Sequence, residues 1–298
     1  MSTSRPTVAV LGPGGVGGLV GALLARAGHR VLCLAGPDTA DALRRDGLTV
    51  RSEHFGQFTV PVEADTVLRE PVDACLITVK ETALGPALDR VDRDALGPGL
   101  VVPLLNGIEH LDLLRERYPA EQVAAATIRV ESTRTAPGQI EHTSPFAAVE
   151  LASHTAPHDR LDRFAEQLRE AGLQVVVRDD ETAMLWDKLV FLAPFALLTT
   201  RHRADLGGVR TDQRQEMLTV IREITAVARA AGAPADADAV LGFFDRAPAT
   251  MKSSMQRDAE AGRSIELDAI AGAVLRTAKA QDIPTPTTAR LVAELAGR

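Results

Sequence analysis

Residues 7–18 read TVAVLGPGGVGG, and what they form decides how the rest of the chain is laid out. The run TVAVL (7–11) is apolar and rich in β-branched residues, the composition of a buried strand. It meets Gly12-Pro13-Gly14-Gly15-Val16-Gly17, then Gly18 and an apolar helical stretch through Ala27. A second strand-like run, RVLCL, follows at 30–34. A lone GxGxxG is weak evidence, but strand before, helix after and second strand beyond are the context of a dinucleotide-binding turn. Gly12 permits the tight turn, Gly14 lets backbone N–H groups approach a pyrophosphate, and Gly17 lets the helix pack on the strand. The helix N-terminus adds partial positive charge and donors that no helical carbonyl uses. Gly12, Pro13, Gly14, Gly15, Val16 and Gly17 are therefore the candidate cofactor-binding residues.

Which dinucleotide is bound stays open at this point. A ribose-binding Asp or Glu belongs at the end of the second strand, where this chain has Ala35-Gly36-Pro37. Asp38 comes slightly late and is placed to cap the next helix, on which Arg44 and Arg45 lie.

Outward from the turn, strand-like and helix-like runs alternate. ACLITV (74–79) precedes ETALGPALDRV, and LVVPLL (100–105) precedes IEHLDLLRERY. Nearly continuous apolar strands alternating with amphipathic helices indicate a parallel, doubly wound sheet covered on both faces. Beyond Val123 the spacing predicts two or three further strands (VAAATIRVES, GQIEHT, AAVELA), a helix over 158–171 and a strand over 173–177. From Asp179 onward no strand pattern occurs. Helices are expected over about 181–202, 210–231, 236–246, 265–281 and 286–297, with breaks at Gly207-Gly208, Gly232 to Pro234, Pro248 and Pro284 to Pro286. The expected organisation is an α/β dinucleotide-binding domain over 1–179 and an all-helical substrate and dimerisation domain over 180–298. A ligand is expected in a cleft between them.

Composition narrows the partners. The 298 residues carry a formal net charge of −7, only 3% are aromatic, and no basic patch interleaves with aromatics, which argues against nucleic acid and anionic membranes. The N-terminal MSTSRPTVAV has no secretory pattern, and the most apolar helix is interrupted by Asp187, Lys188 and Pro194. Cys33 and Cys75, each inside an apolar strand, read as buried thiols of a reducing compartment, so a cytoplasmic protein is expected. His154 and His158 are four apart but separated by Pro157, so they read as incidental and no metal site is expected.

Residues 184–200, MLWDKLVFLAPFALLTT, hold a lysine in an apolar helix. The helical neighbours of Lys188 are Met184, Leu185, Leu192, Phe195 and Ala196, none able to pair with an ammonium group. A snorkelling lysine and a proton donor in a dry cleft are both consistent with that pattern. Pro194 removes a backbone donor and should free the carbonyl of Val190, kinking the helix near the lysine. Lys80 ends the third strand and Asn106-Gly107 follows the fourth, both at the carboxyl edge where such sheets bind ligands. Asn-Gly is also a common turn dipeptide, Ser254 reads equally as a helix cap, and Glu266 as a first-turn carboxylate.

GPGGVGG (12–18), TVK (78–80), LLNGIEH (104–110), PGQIEH (137–142), MLWDKL (184–189), SSMQRD (253–258), IELDAIAG (265–272) and IPTPTTARL (283–291) occur in the order and spacing of one family. Across nearly its whole length the chain resembles ketopantoate reductase (2-dehydropantoate 2-reductase) and its relatives. The resemblance implies an NADPH-dependent reductase with an N-terminal Rossmann domain and a C-terminal helical domain, a fold of the 6-phosphogluconate-dehydrogenase-like kind. It implies Lys188 as the catalytic lysine, with Asn106 and Lys80 on the cofactor side. Glu266 matches the glutamate near the nicotinamide ribose and the lysine, and Ser254 the serine that holds substrate.

The departures fall in two places. Asparagines of the family pattern that hold ketopantoate are replaced by Leu192, Ala196 and Leu206, and the arginine after the second strand is replaced by Gly36. A buried polar substrate end without partners loses on the order of 1–3 kcal/mol per group. The expected substrate is therefore a bulkier or more apolar 2-oxo acid or related ketone, unless Arg201, His202 or Arg203 compensates. Lys188 would stabilise the developing alkoxide and donate its proton. NADP(H) is the cofactor the resemblance implies, with NAD as the alternative, and a homodimer is a fold-level expectation. Two other readings stand beside this one: an oxidoreductase of the same fold acting on an imine, and a non-catalytic NADP(H)-binding sensor or partner protein.

Overall fold

The computed structural model describes residues 6–297. The chain divides into two compact units, Met1–Leu105 with His110–Glu181, and Asn106–Glu109 with Thr182–Arg298. The first unit begins β1 (Thr7–Leu11), α1 (Gly15–Arg26), β2 (Arg30–Leu34), α2 (Pro37–Asp46), β3 (Leu48–Ser52), β4 (Gly56–Val60), β5 (Glu63–Asp65) and β6 (Ala74–Ile77). It continues α3 (Leu84–Leu88), α4 (Arg93–Leu96), β7 (Leu100–Pro103), α5 (His110–Arg117), β8 (Ala125–Arg129), β9 (Ser132–Ala136), β10 (Gln139–His142), β11 (Ala148–Ala152), α6 (His158–Glu170) and β12 (Gln174–Val177).

Five parallel strands form the central sheet in the order β5-β2-β1-β6-β7. The chain builds outward from β1 through β2 to β5, then returns beside β1 and builds the other way through β6 and β7. The reversal between β1 and β6 is the switch point at which such sheets open a crevice beyond their carboxyl ends. The near-continuous apolar runs predicted this sheet because both its faces are covered: Val8, Ala9, Val10, Cys33 and Ala74 to Ile77 are 0% exposed. Burial pushes the free thiols of Cys33 and Cys75 up to about 12.

Two small mixed sheets depart from the expected pattern. One has the order β4-β3-β10-β9 and the other β12-β11-β8. No strand is expected over 48–65, because β3 buries only two of its five residues and β4 buries none, so neither shows a continuous apolar run. The single run expected over 123–132 ends as a strand at Arg129 (β8), and β9, which starts at its last residue, Ser132, joins a different sheet. Helix α1 is buried continuously from Gly17 to Leu24, apolar on all sides. A Cβ on Gly18 would meet Ile140 of β10, and one on Gly21 would touch Val10 of β1 and Val31 of β2.

The second unit is helical: α7 (Glu181–His202), α8 (Leu206–Asp212), α9 (Arg214–Ala230), α10 (Ala237–Arg246), α11 (Ser254–Glu260), a π-helical turn (Asp268–Gly272) leading into α12 (Ala273–Ala280), and α13 (Pro286–Ala296). Helix α7 has the length and apolarity of a membrane span, but most of it is buried inside the protein, as in a core helix. Pro194 is buried within it and the helix continues on both sides. Gly207-Gly208 do not break the chain as expected. They lie inside α8, where Asp205 caps Gly208 N at 2.9 Å and a Cβ on Gly207 would press on Ala249 at 2.9 Å. The break falls instead at residues 203–205 and again at Gln213, so the helix expected over 210–231 is the end of α8 followed by α9.

Candidate active site

The first group of candidate residues surrounds the turn after β1. Gly12 has φ +83°, and a Cβ there would lie 2.5 Å from Val79 Cγ1, so only glycine fits. Thr78 Oγ1 donates to the carbonyls of Leu11 (3.0 Å) and Gly12 (2.7 Å), tying the end of β6 to the turn at the switch point. A Cβ on Gly17 would sit 2.1 Å from that hydroxyl oxygen, and one on Gly15 would sit 2.2 Å from Ser132 O at the start of β9. Gly14 is different: the nearest atom to its Cβ position is Gly12 O at 3.8 Å. Its bareness is not demanded by packing against protein. It fits close approach of a phosphate, since Gly14 is the N-cap of α1 and no side chain caps that helix. Pro13 is buried and Val16 half-buried, and Lys80 is half-buried just past β6.

At the end of β2, Gly36 is the N-cap of α2. Asp38 therefore does not cap this helix; it is exposed in the first turn. Arg44 donates to Ala64 O at 2.8 Å and pairs with Asp41, while Arg45 pairs with Asp46 at 2.8 Å.

The second group lies in the helical unit and is built on Asn106. Its Oδ1 accepts from Lys188 Nζ at 3.0 Å and its Nδ2 donates to Glu266 Oε2 at 3.1 Å. An ammonium on one side and a carboxylate on the other admit only this orientation of the amide. All three side chains are half-buried. Gly107 turns the chain at φ +85°, and a Cβ there would lie 2.2 Å from the carbonyl oxygen of Ala269 in the π turn. One guanidinium then fixes the loop to that turn: Arg276 grips Glu109 (2.7 and 2.6 Å) and Asp268 (2.7 and 3.0 Å). These contacts hold Arg276 above its ordinary pKa and Asp268 below the usual carboxylate range, through the hydrogen-bonded ion pairs themselves. Sequence reading missed Glu109, Asp268 and Arg276, because partners up to 167 residues apart leave no local signal.

A Gly107→Ala substitution should therefore displace the loop that carries Asn106. Left-handed strain alone costs about 1–2 kcal/mol. Turnover is expected to fall about tenfold or more while the melting temperature changes by only a few degrees, measured by steady-state kinetics and thermal unfolding.

Leu192 and Ala196 follow Lys188 by four and eight residues on the same helix face; Leu192 is half-buried and Ala196 is 0% exposed. Beside them Phe191 stacks on Phe195 (5.4 Å) and meets Phe243 edge-on (4.6 Å), and Phe243 is 49% exposed. Leu206 is fully buried in the helical core. Arg201 and His202 are held by carboxylates, Arg201 by Glu294 and His202 by Glu216 at 2.6 Å. Ser254 is exposed as the first residue of α11. The cap of that helix is Ser253, whose Oγ accepts from Gln256 N at 3.0 Å and lies 2.9 Å from Thr199 Oγ1 of α7. Among the described residues no group of three His, Cys, Asp or Glu side chains could hold a metal ion.

Family models described as ketopantoate reductase PanE/ApbA and its C-terminal region match residues 8–156 and 180–298. The 2-dehydropantoate 2-reductase of Mycobacterium tuberculosis is 32% identical over 298 residues, covering 97% of this chain and 96% of its own. An uncharacterized oxidoreductase of Bacillus subtilis, YkpB, is 28% identical over 292 residues and covers 96% of each chain. Among solved structures, 2-dehydropantoate 2-reductase from Methylococcus capsulatus superposes with a TM-score of 0.86 at 26% identity, covering 97% of this chain and 96% of its own. D-mandelate dehydrogenase, solved with NADH and anilino(oxo)acetate, shares the fold with a TM-score of 0.88 at 21% identity, covering 98% and 97%. Matched by both family models and by relatives along almost its entire length, the chain belongs to the ketopantoate reductase family.

Proposed function

We propose that the protein reduces the carbonyl of a 2-oxo acid with a nicotinamide dinucleotide, Lys188 acting as the proton donor. The observation that carries this reading is the run of hydrogen bonds from Lys188 Nζ to Asn106 Oδ1 and from Asn106 Nδ2 to Glu266 Oε2. The glycine-rich turn fits a dinucleotide, because Gly14 leaves open space at the uncapped N-terminus of α1. When bound, the nicotinamide supplies hydride to the carbonyl carbon. Lys188 is placed to stabilise negative charge developing on the carbonyl oxygen and to pass it a proton. Asn106 holds the ammonium in one orientation, and Glu266 holds Asn106 in turn.

The residues sharing the lysine's helix face favour an apolar substrate. Ala196 is sealed in the helical core and faces no ligand, but half-buried Leu192 offers no hydrogen bond to a hydroxyl group, so a branched or aryl 2-oxo acid is preferred to ketopantoate, whose hydroxyl would lose a partner. The test is NADPH and NADH oxidation measured across a panel of 2-oxo acids that includes ketopantoate. Bulky apolar members are expected to show the highest kcat/KM. Absence of turnover with every member of the panel would defeat the reading. In the same panel Leu192→Asn is expected to raise kcat/KM for ketopantoate about tenfold and lower it for apolar substrates, as one restored hydrogen bond implies.

A further inference from the structure

We infer that Arg90 reads the 2′-phosphate of NADPH, supplying from a later segment of the chain the positive charge that position 36 lacks. The inference rests on the dinucleotide reading of the glycine-rich turn. In this fold the adenosine ribose lies at the carboxyl end of the second strand, where a carboxylate selects NAD and a nearby arginine admits NADP. Gly36 stands there without a side chain, and nothing lies within 4 Å of where its Cβ would be. Arg44 and Arg45 are engaged by Asp41, Ala64 O and Asp46.

Arg90, between α3 and α4, reaches the same place from the other side of the switch point. Its Nη1 donates to Ala35 O at 2.7 Å and to Thr66 O at 3.1 Å, carbonyls just past the carboxyl ends of β2 and β5. Its backbone is fixed as well, the N–H to Ala87 O at 3.1 Å and the carbonyl to Leu68 N at 2.7 Å. The guanidinium is thus anchored one residue from Gly36 by neutral carbonyls, which leave its charge uncompensated. Among the described residues Nε and Nη2 donate to no protein group. That pair forms the edge with which arginine grips a phosphate in two parallel hydrogen bonds. Two carboxylates lie on neighbouring segments. Asp65 is occupied by Thr66 N at 2.6 Å and Arg69 Nε at 2.9 Å, and Asp38 is exposed in the first turn of α2.

The test is direct titration of the purified protein with NADPH and NADH, and with adenosine 2′,5′-bisphosphate against AMP. Wild type is expected to bind each 2′-phosphorylated ligand at least tenfold more tightly than its partner. Arg90→Gln keeps an amide to meet the two carbonyls but removes the charge. It should weaken NADPH and the bisphosphate about 10- to 100-fold while moving NADH and AMP less than threefold. Gly36→Arg, placed in open space, should restore NADPH affinity in that background. Equal loss for all four ligands would show Arg90 to be only a tie between strand ends, and would overturn the proposal. So would unchanged affinities, or a wild-type preference for NADH, which would point to Asp38 as a ribose partner. Failure of wild type to bind either dinucleotide would sink the dinucleotide reading itself, and this proposal with it.

Discussion

Replacing Lys188 with alanine is expected to lower kcat by two or more orders of magnitude while leaving dinucleotide affinity within about twofold. Two losses combine in that figure. On the proposed mechanism, the alkoxide formed by hydride addition would lose the cation that stabilises it, and the reaction would lose its proton donor. Lys188 is half-buried and its Nζ is held 3.0 Å from Asn106 Oδ1, so its position is set before substrate arrives. Lys188→Arg separates the two contributions: it keeps a positive charge but does not release a proton in the working pH range. Turnover recovered by arginine would assign the effect to charge alone. Measurement requires a substrate from the 2-oxo acid panel and a parallel titration with the dinucleotide. Undiminished turnover in Lys188→Ala would remove this residue from the mechanism.

The second large effect is expected at Gly17. An alanine Cβ would lie 2.1 Å from Thr78 Oγ1 and 2.7 Å from Gly12 O, distances no folded chain tolerates without movement. Thr78 cannot simply rotate away, because its hydroxyl holds the carbonyls of Leu11 and Gly12. Gly17→Ala should therefore push α1 off the sheet, costing about 1–3 kcal/mol of stability and weakening NADPH at least tenfold. Gly14→Ala is the informative partner. Its Cβ would meet only Gly12 O at 3.8 Å, so thermal unfolding should be unchanged while NADPH affinity falls. Retained affinity in Gly14→Ala would show that no phosphate approaches this turn.

Much of the fold could be read from local pattern. A buried parallel strand is a continuous apolar run, and β1, β2, β6 and β7 announce themselves in that way. Helices α6, α7, α10 and α13 were also legible, from apolar periodicity and from proline and glycine punctuation. Strands β8, β10, β11 and β12 were legible too, but β3, β4 and most of β9 were not, since they are partly or largely exposed strands of five residues, and the pairing of β3 with β10 joins segments about ninety residues apart. The π turn after Leu267 was equally hidden: Asp268 folds back over Gly272, where a Cβ would collide with its carboxylate at 2.3 Å.

By itself, the sequence determined that a glycine-rich turn opens a Rossmann sheet and that a helical segment follows, while Lys188, Asn106 and Glu266 stood out only through the resemblance to a known family. The sheet and the helices rest on residues within one strand, one turn or one helix, where backbone sterics and apolar period act over a few positions. Tertiary structure alone decided that Asn106 bridges Lys188, 82 residues away, and Glu266, 160 residues away. It also decided that Gly107 abuts the Ala269 carbonyl and that Arg276 clamps Glu109 to Asp268. Arg90 was placed beside the end of β2 in the same way. Such contacts form only when packing brings distant segments together, and hydrogen bonds that close across so many residues leave no periodic trace in the chain that makes them.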